Sequence, residues 1–367
     1  MKFIRFLMLF LIMSAISETY AANIAVVAPK IGKMSHFGNE IAEGAQIAVD
    51  IINEKGGLLG DKLNLITIDD RCEDAFSIST AQMIALNSSK NDRVDLLIGP
   101  FCDNMFEEVS KIYSQNGVLR IYPMPLDEKQ RSTANKGLVK IGGLMSNQAE
   151  VFVKYYEENM VGKNLAVVYD SSIPKTMETA FATQVLFNTK GLYGLTLFDM
   201  SSYDDYEKLV EEILINNQVV YVLGNAEPVA RIIQNIQEED AKANIFVDAY
   251  MATGHLYREL GNFVEGVYFF SYKNIKDEPS FTEKLVELRI KGKEPKGLGV
   301  YGYAAVNLWA QAVQNAQSIN FDKVYNEINT KEYEMPWGMS GFENGTAVKS
   351  GEYSLYQVKN GEYTQVH

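Results

Sequence analysis

The sequence predicts an α/β protein with two similar lobes, each built around a parallel sheet that helices cover. Continuous apolar runs of strand length alternate with stretches that carry apolar residues at helical spacing, which is typical of parallel strands buried on both faces. The alternation restarts after Gly142-Gly143, near the middle of the 367 residues. A chain of this length exceeds what one hydrophobic core usually serves, so we expect two domains.

The first series begins with Ile24–Ala28, an unbroken apolar run that predicts a buried strand. The next segment places apolar residues from Ile41 to Ile52 on one helical stripe, and Gly56-Gly57 ends that helix. The series continues with strands at Leu63–Ile68, Val94–Ile98 and Val118–Ile121 and helices at Ala75–Leu86 and Met105–Ser114.

The second series repeats this alternation and passes into a different tail. Its predicted helices are Asn147–Asn159, Met177–Thr189, Tyr206–Asn216 and Pro228–Glu238, and its strands are Leu165–Tyr169, Leu195–Phe198, Val219–Leu223 and Ile245–Val247. The tail predicts a strand at Val267–Ser271, helices at Phe281–Lys291, Val300–Gln317 and from Asp322, and a strand at Tyr353–Val358. Asn360-Gly361 predicts a hairpin turn after that last strand.

No low-complexity linker separates the two series, so ordinary connections near residues 143, 271 and 346 are expected to cross between the lobes as a hinge. We therefore expect one lobe from residues 22–143 plus 271–346 and the other from residues 144–270 plus 347–367.

Residues 1–21 predict a cleaved secretory signal. Lys2 and Arg5 precede an apolar stretch from Phe6 to about Ile16, and Ala21-Ala22 supplies small residues for the cut. The apolar run is too short for a stable membrane span, although an uncleaved N-terminal anchor is the alternative. No cysteine follows the cut, which argues against a lipid anchor. We therefore expect an exported protein.

Composition excludes several classes of function. The formal charge is −13 and no basic cluster is present, so nucleic acid is a poor partner. His36, His255 and His367 are the only histidines, which leaves little material for a histidine-based metal site or catalytic triad. We expect a monomer that is not an enzyme and that needs neither a metal nor another cofactor.

The two cysteines each follow a strand-like run of the first series, Cys72 after Leu63–Ile68 and Cys102 after Val94–Ile98. Cysteines at the ends of neighbouring strands can form a disulfide, and a disulfide requires an oxidising compartment. This agrees with export.

Several segments together resemble the leucine/isoleucine/valine-binding proteins, which are type I solute-binding proteins of bacterial ABC importers. The resemblance covers essentially the whole mature chain and is carried by Ile24–Val27, Phe37-Gly38, Ile52–Gly57, Asp69–Cys72, Ile98–Cys102 and Gly117–Pro123. It implies the type I periplasmic binding protein fold, in which a three-strand hinge joins two Rossmann-like lobes and the lobes close on a ligand in the cleft between them. It also implies that Cys72 pairs with Cys102.

In the first lobe, the resemblance places ligand contacts on residues that depart from the family pattern. Asp103 stands where amino-acid-binding members have a serine that holds the ligand carboxylate, and its charge would repel a carboxylate. Leu126 replaces a threonine and retains only a backbone N–H, with Met124 beside it. Asp103 could instead cap the following helix, and Met124 and Leu126 could be ordinary core residues.

In the second lobe, the acidic partner of the ligand ammonium falls on Tyr250, and Asp248 two residues earlier could substitute for it. The family's aromatic floor aligns with Ala226 beside Asn225. Of the family's aromatic contacts only Phe37, from the first lobe, is kept, and Phe37 and Tyr250 could also be packing aromatics.

The sequence therefore predicts a periplasmic solute receptor that delivers a small polar ligand to the membrane permease of an ABC importer. The altered positions argue against a standard branched-chain amino acid and favour an amino-acid-like molecule, amide, amine or polyol. The alternative is a periplasmic sensor of the same fold that signals to a membrane kinase or chemoreceptor, and an exported two-lobed enzyme is a third reading.

Overall fold

Sixteen short strands assemble into two large sheets and one hairpin in a computed structural model, which describes residues 22–32, 34–88, 93–102, 105–239, 242–249, 260–275 and 278–367. The strands are β1 (Ala22–Val27), β2 (Leu63–Ile68), β3 (Leu96–Ile98), β4 (Arg120–Tyr122), β5 (Leu138–Lys140), β6 (Leu165–Tyr169), β7 (Leu195–Asp199), β8 (Val219–Leu223), β9 (Asn244–Val247), β10 (Tyr268–Tyr272), β11 (Tyr333–Met335), β12 (Gly338–Ser340), β13 (Phe342–Glu343), β14 (Thr346–Ala347), β15 (Tyr353–Lys359) and β16 (Glu362–Gln365).

Helices cover both large sheets, as the continuous apolar strands require. They are α1 (Ser35–Glu54), α2 (Asp74–Leu86), α3 (Phe106–Gln115), α4 (Glu128–Ser132), α5 (Gln148–Asn159), α6 (Pro174–Thr189), α7 (Tyr206–Leu214), α8 (Ala226–Glu239), α9 (Thr282–Ile290), α10 (Gly299–Ala316) and α11 (Phe321–Ile328). The predicted signal segment, residues 1–21, lies outside the described residues.

The two large sheets have the same layout. The first has the spatial order β13-β14-β5-β4-β3-β1-β2, and the second has the order β16-β15-β10-β9-β8-β6-β7. In each sheet the central strands are parallel, and antiparallel pairing is confined to the pairs that involve the tail strands β13 to β16. The predicted α/β architecture with two related parallel sheets is confirmed.

The chain passes between the two sheets three times, and we call these three passages the hinge. They run from β5 to β6, from β10 through α9, α10 and α11 to β13, and from β14 to β15. Residues of each sheet therefore come from separate stretches of the chain.

The helix pair α1 and α10 closes one face of the first sheet at very short range. A Cβ atom on Gly44 would lie 1.8 Å from the carbonyl oxygen of Gly299, and one on Gly302 would lie 2.0 Å from that of Ile41. Only glycine permits this approach, so these residues set the distance between the two helices.

Sequence patterns missed α4 and β5, which are short. Both β4 and β5 also carry a buried basic residue that interrupts the apolar pattern. Arg120 is 1% exposed, and its guanidinium donates to the Gly99 carbonyl and the Ser110 hydroxyl, both at 2.5 Å. Its charge also lies 4.7 Å from the ring of Phe106. These contacts satisfy a charged group that would otherwise be costly to bury.

The hairpin from β15 to β16 has the predicted turn. Asn360 and Gly361 both adopt positive φ, 53° and 75°, and Lys359 pairs with Glu362 across the turn. Among the described helices, none has the length and apolar character needed to span a membrane.

Candidate ligand-binding cleft

The carboxyl ends of strands from both sheets meet at a cleft, which contains two cavities that share Met145. Ligands of parallel α/β sheets bind at such strand ends, because the loops that leave the strands converge there. Met145 lies in the first hinge passage, so the two cavities are neighbouring parts of one inter-sheet cleft.

The first, which we call the apolar cavity, has a volume of about 500 Å³. Its wall includes residues that lie just beyond the carboxyl ends of strands in both sheets: Phe101 after β3, Met124 after β4, Ala249 after β9 and Lys273 after β10. Phe37 and Phe101 stack within this wall, with ring centroids 5.5 Å apart. The cavity is large enough for a small organic molecule.

Most of the charged side chains in the wall of the apolar cavity are paired. The Lys273 ammonium lies 3.1 Å from a Glu278 carboxylate oxygen and 3.7 Å from one of Glu352. The hydrogen bond that Lys273 donates to Glu278 raises the pKa of the lysine, so it stays protonated. Glu294 receives two hydrogen bonds from the Arg289 guanidinium, at 2.7 and 3.1 Å.

The second, which we call the charged cavity, has a volume of about 580 Å³ and lies at the ends of β4, β6 and β8. Its wall includes α4, the start of α6 and the side chains of Glu107, Lys129 and Lys175. Lys129 and Glu107 form an ion pair of 3.0 Å.

One hydrogen bond joins the two sides of the cleft beside the charged cavity. The backbone N–H of Glu128, the first residue of α4, donates to a carboxylate oxygen of Glu178 on α6 at 3.0 Å. Burial raises the pKa of Glu178, and the nearby carboxylates of Asp127 and Glu128 raise it further, while the Glu128 N–H and the Lys175 ammonium lower it. A carboxylate at a helix N-terminus is favourable, so this contact stabilises the observed approach of the two sides.

The short helix α4 is fixed at both of its ends. Asp127 and Gln130 form a capping box at the N-terminus. At the C-terminus the buried Lys140 ammonium donates to the carbonyls of Arg131 at 2.6 Å and Thr133 at 2.5 Å. Burial lowers the pKa of Lys140 to about 8. Lys140 therefore holds the wall of the charged cavity from inside the first sheet.

The ligand residues that the sequence predicts lie in different parts of the structure. Phe37 and Met124 line the apolar cavity, 5% and 7% exposed, and Asn225 lines the charged cavity. Ala226 begins α8 and packs against the core of the second sheet. Asp103 and Tyr250 lie outside the described residues, so their roles stay predictions.

Leu126 and Asp248 line neither cavity. Leu126 is 1% exposed, and its backbone N–H, which the sequence left available for a ligand, donates to the Gly143 carbonyl at 2.9 Å. Asp248 is fully buried, and its carboxylate accepts a hydrogen bond from the Gly224 N–H at 3.2 Å. In this arrangement both residues stabilise cleft loops from within.

Sequence reasoning missed the aromatic residues that the hinge brings to the apolar cavity, namely Tyr272, Tyr301 and Trp337. Tyr301 lies in the apolar stretch that forms α10, where it is indistinguishable from a core residue. The only local signal is that Tyr272 lies next to the predicted crossing near residue 271.

The disulfide that the family resemblance implied is present. Cys72 and Cys102 are bonded, with Cα atoms 5.3 Å apart, and they join the loop after β2 to the loop after β3. The bond fixes the loop that carries Phe101 into the apolar cavity. In the described part of the chain, no group of three or more histidine, cysteine, aspartate or glutamate side chains is arranged to hold a metal ion.

Comparison with known proteins identifies relatives along almost the whole chain. A family model described as periplasmic binding protein matches residues 21–362. A leucine-, isoleucine-, valine-, threonine- and alanine-binding protein of Pseudomonas aeruginosa is 23% identical over 346 residues, covering 91% of this chain and 89% of its own length. The Leu/Ile/Val-binding protein of Escherichia coli K12 is 25% identical over 335 residues, covering 88% of this chain and 89% of its own length.

Solved structures show the same fold. A leucine-binding protein of Thermotoga maritima superposes with a TM-score of 0.77 at 22% identity, covering 95% of this chain and 98% of its own. A solute-binding protein of R. palustris in complex with benzoate gives a TM-score of 0.71 at 14% identity, covering 94% and 95% of the two chains. Proteins of this fold thus include complexes with ligands other than amino acids.

Proposed function

This chain belongs to the periplasmic binding protein family, and we propose that it is the extracytoplasmic solute receptor of an ABC importer. The family consists of binding proteins rather than enzymes. The observation that carries the proposal is the apolar cavity of about 500 Å³, which both sheets and all three hinge passages line. A ligand held there contacts both lobes at once and so stabilises the closed arrangement over the open one.

The proposed division into lobes follows the sheets: residues 22–143 plus 271–346, and residues 144–270 plus 347–367. Residues 1–21 would act as the export signal and be removed. The mature monomer would then deliver its ligand to a membrane permease, and its acidic surface gives nucleic acid no attraction.

We further propose that the ligand is not a standard branched-chain amino acid, although the curated relatives are named for such ligands. A free amino acid needs a grip on its carboxylate and a counter-charge for its ammonium group. Leu126 supplies neither a hydroxyl nor a free N–H, and the Asp248 carboxylate is buried under the Gly224 loop. By the family resemblance, Asp103 would bring a negative charge to the position at which amino-acid-binding members hold the ligand carboxylate. These features favour a small amide, amine or polyol with an apolar face.

A thermal-shift and calorimetry screen of the mature protein tests both parts of this proposal. The panel contains leucine, isoleucine and valine beside small amides, amines and polyols. We expect stabilisation by a member of the second group. Strong stabilisation by leucine, isoleucine or valine would overturn the ligand proposal and leave the receptor proposal intact.

A matched pair of variants locates the binding site. Phe37→Ala removes a ring from the apolar cavity, whereas Phe181→Ala removes a 42% exposed ring on α6 that lines neither cavity. We expect about a tenfold or greater loss of affinity in the first variant only, because a buried ring contributes several times more than an exposed one. Equal affinities would place the ligand elsewhere.

A further inference from the structure

The hinge side of the apolar cavity is an aromatic wall formed by Tyr272, Tyr301 and Trp337. The ring centroids of Tyr272 and Tyr301 are 4.6 Å apart, and those of Tyr301 and Trp337 are 5.0 Å apart. Trp337 is fixed, because its indole N–H donates to the Lys349 carbonyl at 3.0 Å. The three residues come from β10, α10 and the β11–β12 hairpin, so the wall exists only in the assembled hinge.

The wall contains three buried hydroxyl groups that lie close enough to interact with one another, the middle one with each of the other two. They belong to Tyr272 and Tyr301, and also to Tyr353, whose ring stacks on Tyr272 with centroids 4.9 Å apart. Tyr301 is 2% exposed, and its hydroxyl lies beside Gly351, another residue of the cavity wall, where a Cβ atom would come within 2.2 Å of it. Two hydrogen bonds among three hydroxyl groups use two of the three O–H donors. A buried donor left over is costly, so a polar group in the cavity would be favoured here.

The hydroxyl groups can donate at any physiological pH. Burial raises the pKa of Tyr272 and Tyr301 well above the ordinary value for tyrosine, so both remain protonated. A protonated phenol donates one hydrogen bond and accepts others, and it therefore suits a neutral hydroxyl or amide group.

The charges around the cavity do not select a charged ligand. The ionic side chains of the wall are Lys273, Lys296, Glu278, Glu294 and Glu352. Glu278 and Glu352 pair with Lys273, and Glu294 pairs with Arg289 outside the wall. Carboxylates that already have a cationic partner attract a charged ligand less, so the wall suits an uncharged one.

Resting on the proposed function, we propose that the wall of Tyr272, Tyr301 and Trp337 is a ligand subsite that receives a neutral hydroxyl or amide group carried on a small planar ring. The ring of the solute packs against the aromatic side chains, and its polar group hydrogen-bonds the Tyr301 hydroxyl. The solute class is therefore a small, uncharged, hydroxylated or amide-bearing aromatic compound.

The position of the subsite also couples binding to closure. Met145, Tyr272 and Gly351 line the apolar cavity and lie in or beside the first, second and third hinge passages. An occupant of the subsite contacts segments whose backbone must turn when the lobes move, so it selects one hinge angle directly.

Phenol and fluorobenzene test the subsite, because they have similar size and differ in one hydroxyl group. Binding of each to the mature protein is followed by tryptophan fluorescence and by NMR, with Trp337→Phe to confirm that the fluorescence signal comes from the cavity. We expect about tenfold tighter binding of phenol, which corresponds to one net hydrogen bond.

Two matched variants decide the outcome. Tyr301→Phe should reduce the preference for phenol to about one, while fluorobenzene binds as before. Tyr333→Phe removes another buried tyrosine hydroxyl, which lies outside the cavity wall, and it should leave the preference unchanged. An unchanged preference in Tyr301→Phe, or no preference in the wild type, overturns the subsite. If a solute from the screen binds the wild type and Tyr301→Phe equally, the receptor function stands and the subsite alone fails.

Discussion

The two cavities of the cleft differ in how their walls are built. The apolar cavity is lined mainly by buried rings and methionines at strand ends and hinge segments, with most of its ionic groups paired. The charged cavity is lined largely by helix ends and partly exposed ionic side chains. Buried apolar contacts contribute more free energy than exposed ion pairs, so we infer that the first cavity provides affinity and the second adjusts closure.

The most severe test of this comparison is to fill one cavity at a time. Met124→Trp adds bulk to the apolar cavity and should reduce affinity for the solute by about a hundredfold or more, because little space remains for a ligand. Ser172→Trp, at an exposed residue of the charged cavity, should cost less than tenfold. Calorimetry of both variants provides the measurement, and the reverse ranking would exchange the roles of the cavities.

The next effect concerns Lys140, which holds α4. Lys140→Met removes the donor from the carbonyls of Arg131 and Thr133 and should lower the free energy of unfolding by about 2 kcal/mol at pH 7. Lys136→Met breaks an exposed ion pair with Asp322 and should change the free energy of unfolding by less than about 0.5 kcal/mol. Urea denaturation of the two variants compares them directly.

Lys140 also predicts a pH dependence. Its pKa is lowered to about 8 in the folded protein from 10.5, so between these values the unfolded chain binds more protons. Its contribution to stability therefore rises as the pH increases from about 8. The difference in unfolding free energy between wild type and Lys140→Met should increase between pH 8 and pH 9.5, and a constant difference would contradict the assignment.

A smaller effect is expected at Glu178, where the contact crosses the cleft. Glu178→Ala removes the acceptor of the Glu128 N–H and should weaken solute affinity about fivefold, whereas Glu178→Gln keeps an acceptor without the charge and should bind at least as tightly as the wild type does. Small-angle scattering with saturating solute should show a more open Glu178→Ala variant. Equal compaction of all three proteins would show that this hydrogen bond does not contribute to closure.

The raised pKa of Glu178 also predicts how solute affinity changes with pH. Glu178 binds a proton more readily in its contact with α4 than an exposed glutamate does. A solute that stabilises this contact should therefore bind more tightly as the pH falls through the raised pKa towards 4.5. This dependence of affinity on pH should be absent in Glu178→Gln. Titrations between pH 7 and pH 4.5 measure it.

The smallest effect is expected for Lys129, which is 76% exposed in its ion pair with Glu107. Lys129→Ala should change unfolding free energy by less than about 0.5 kcal/mol and affinity by less than twofold at physiological salt. A larger loss of affinity would show that the charged cavity contacts the solute itself.

Most of the fold was predictable because apolar periodicity directly reports burial. Unbroken runs such as Ile24–Ala28 and Val219–Leu223 can be covered only by two layers of helix, and the structure confirms them as strands of parallel sheets. The patterns found β4, as Val118–Ile121, but missed β5, where buried Lys140 interrupts the apolar run. The partners of Lys140 are backbone carbonyls at the end of α4, and no apolar pattern contains them.

The cleft was less predictable than the fold. Alignment to the family placed Phe37 and Met124 at the apolar cavity, but it also pointed to Asp248, whose carboxylate is buried beneath the Gly224 loop. Tyr301 and Trp337 come to the cavity through long-range packing of α10 and the β11–β12 hairpin, which local periodicity does not encode. Site residues that tertiary packing brings to the cavity can be identified only from a structure.

The triple passage of the chain between the sheets has a consequence for the order of folding during synthesis. β5 of the first sheet pairs with β14, so that sheet is incomplete until residue 347 has left the ribosome. The second sheet waits for β15 and β16 at the C-terminus. A truncation near residue 340 therefore leaves two unpaired sheet edges at once, and both are open to association with other chains.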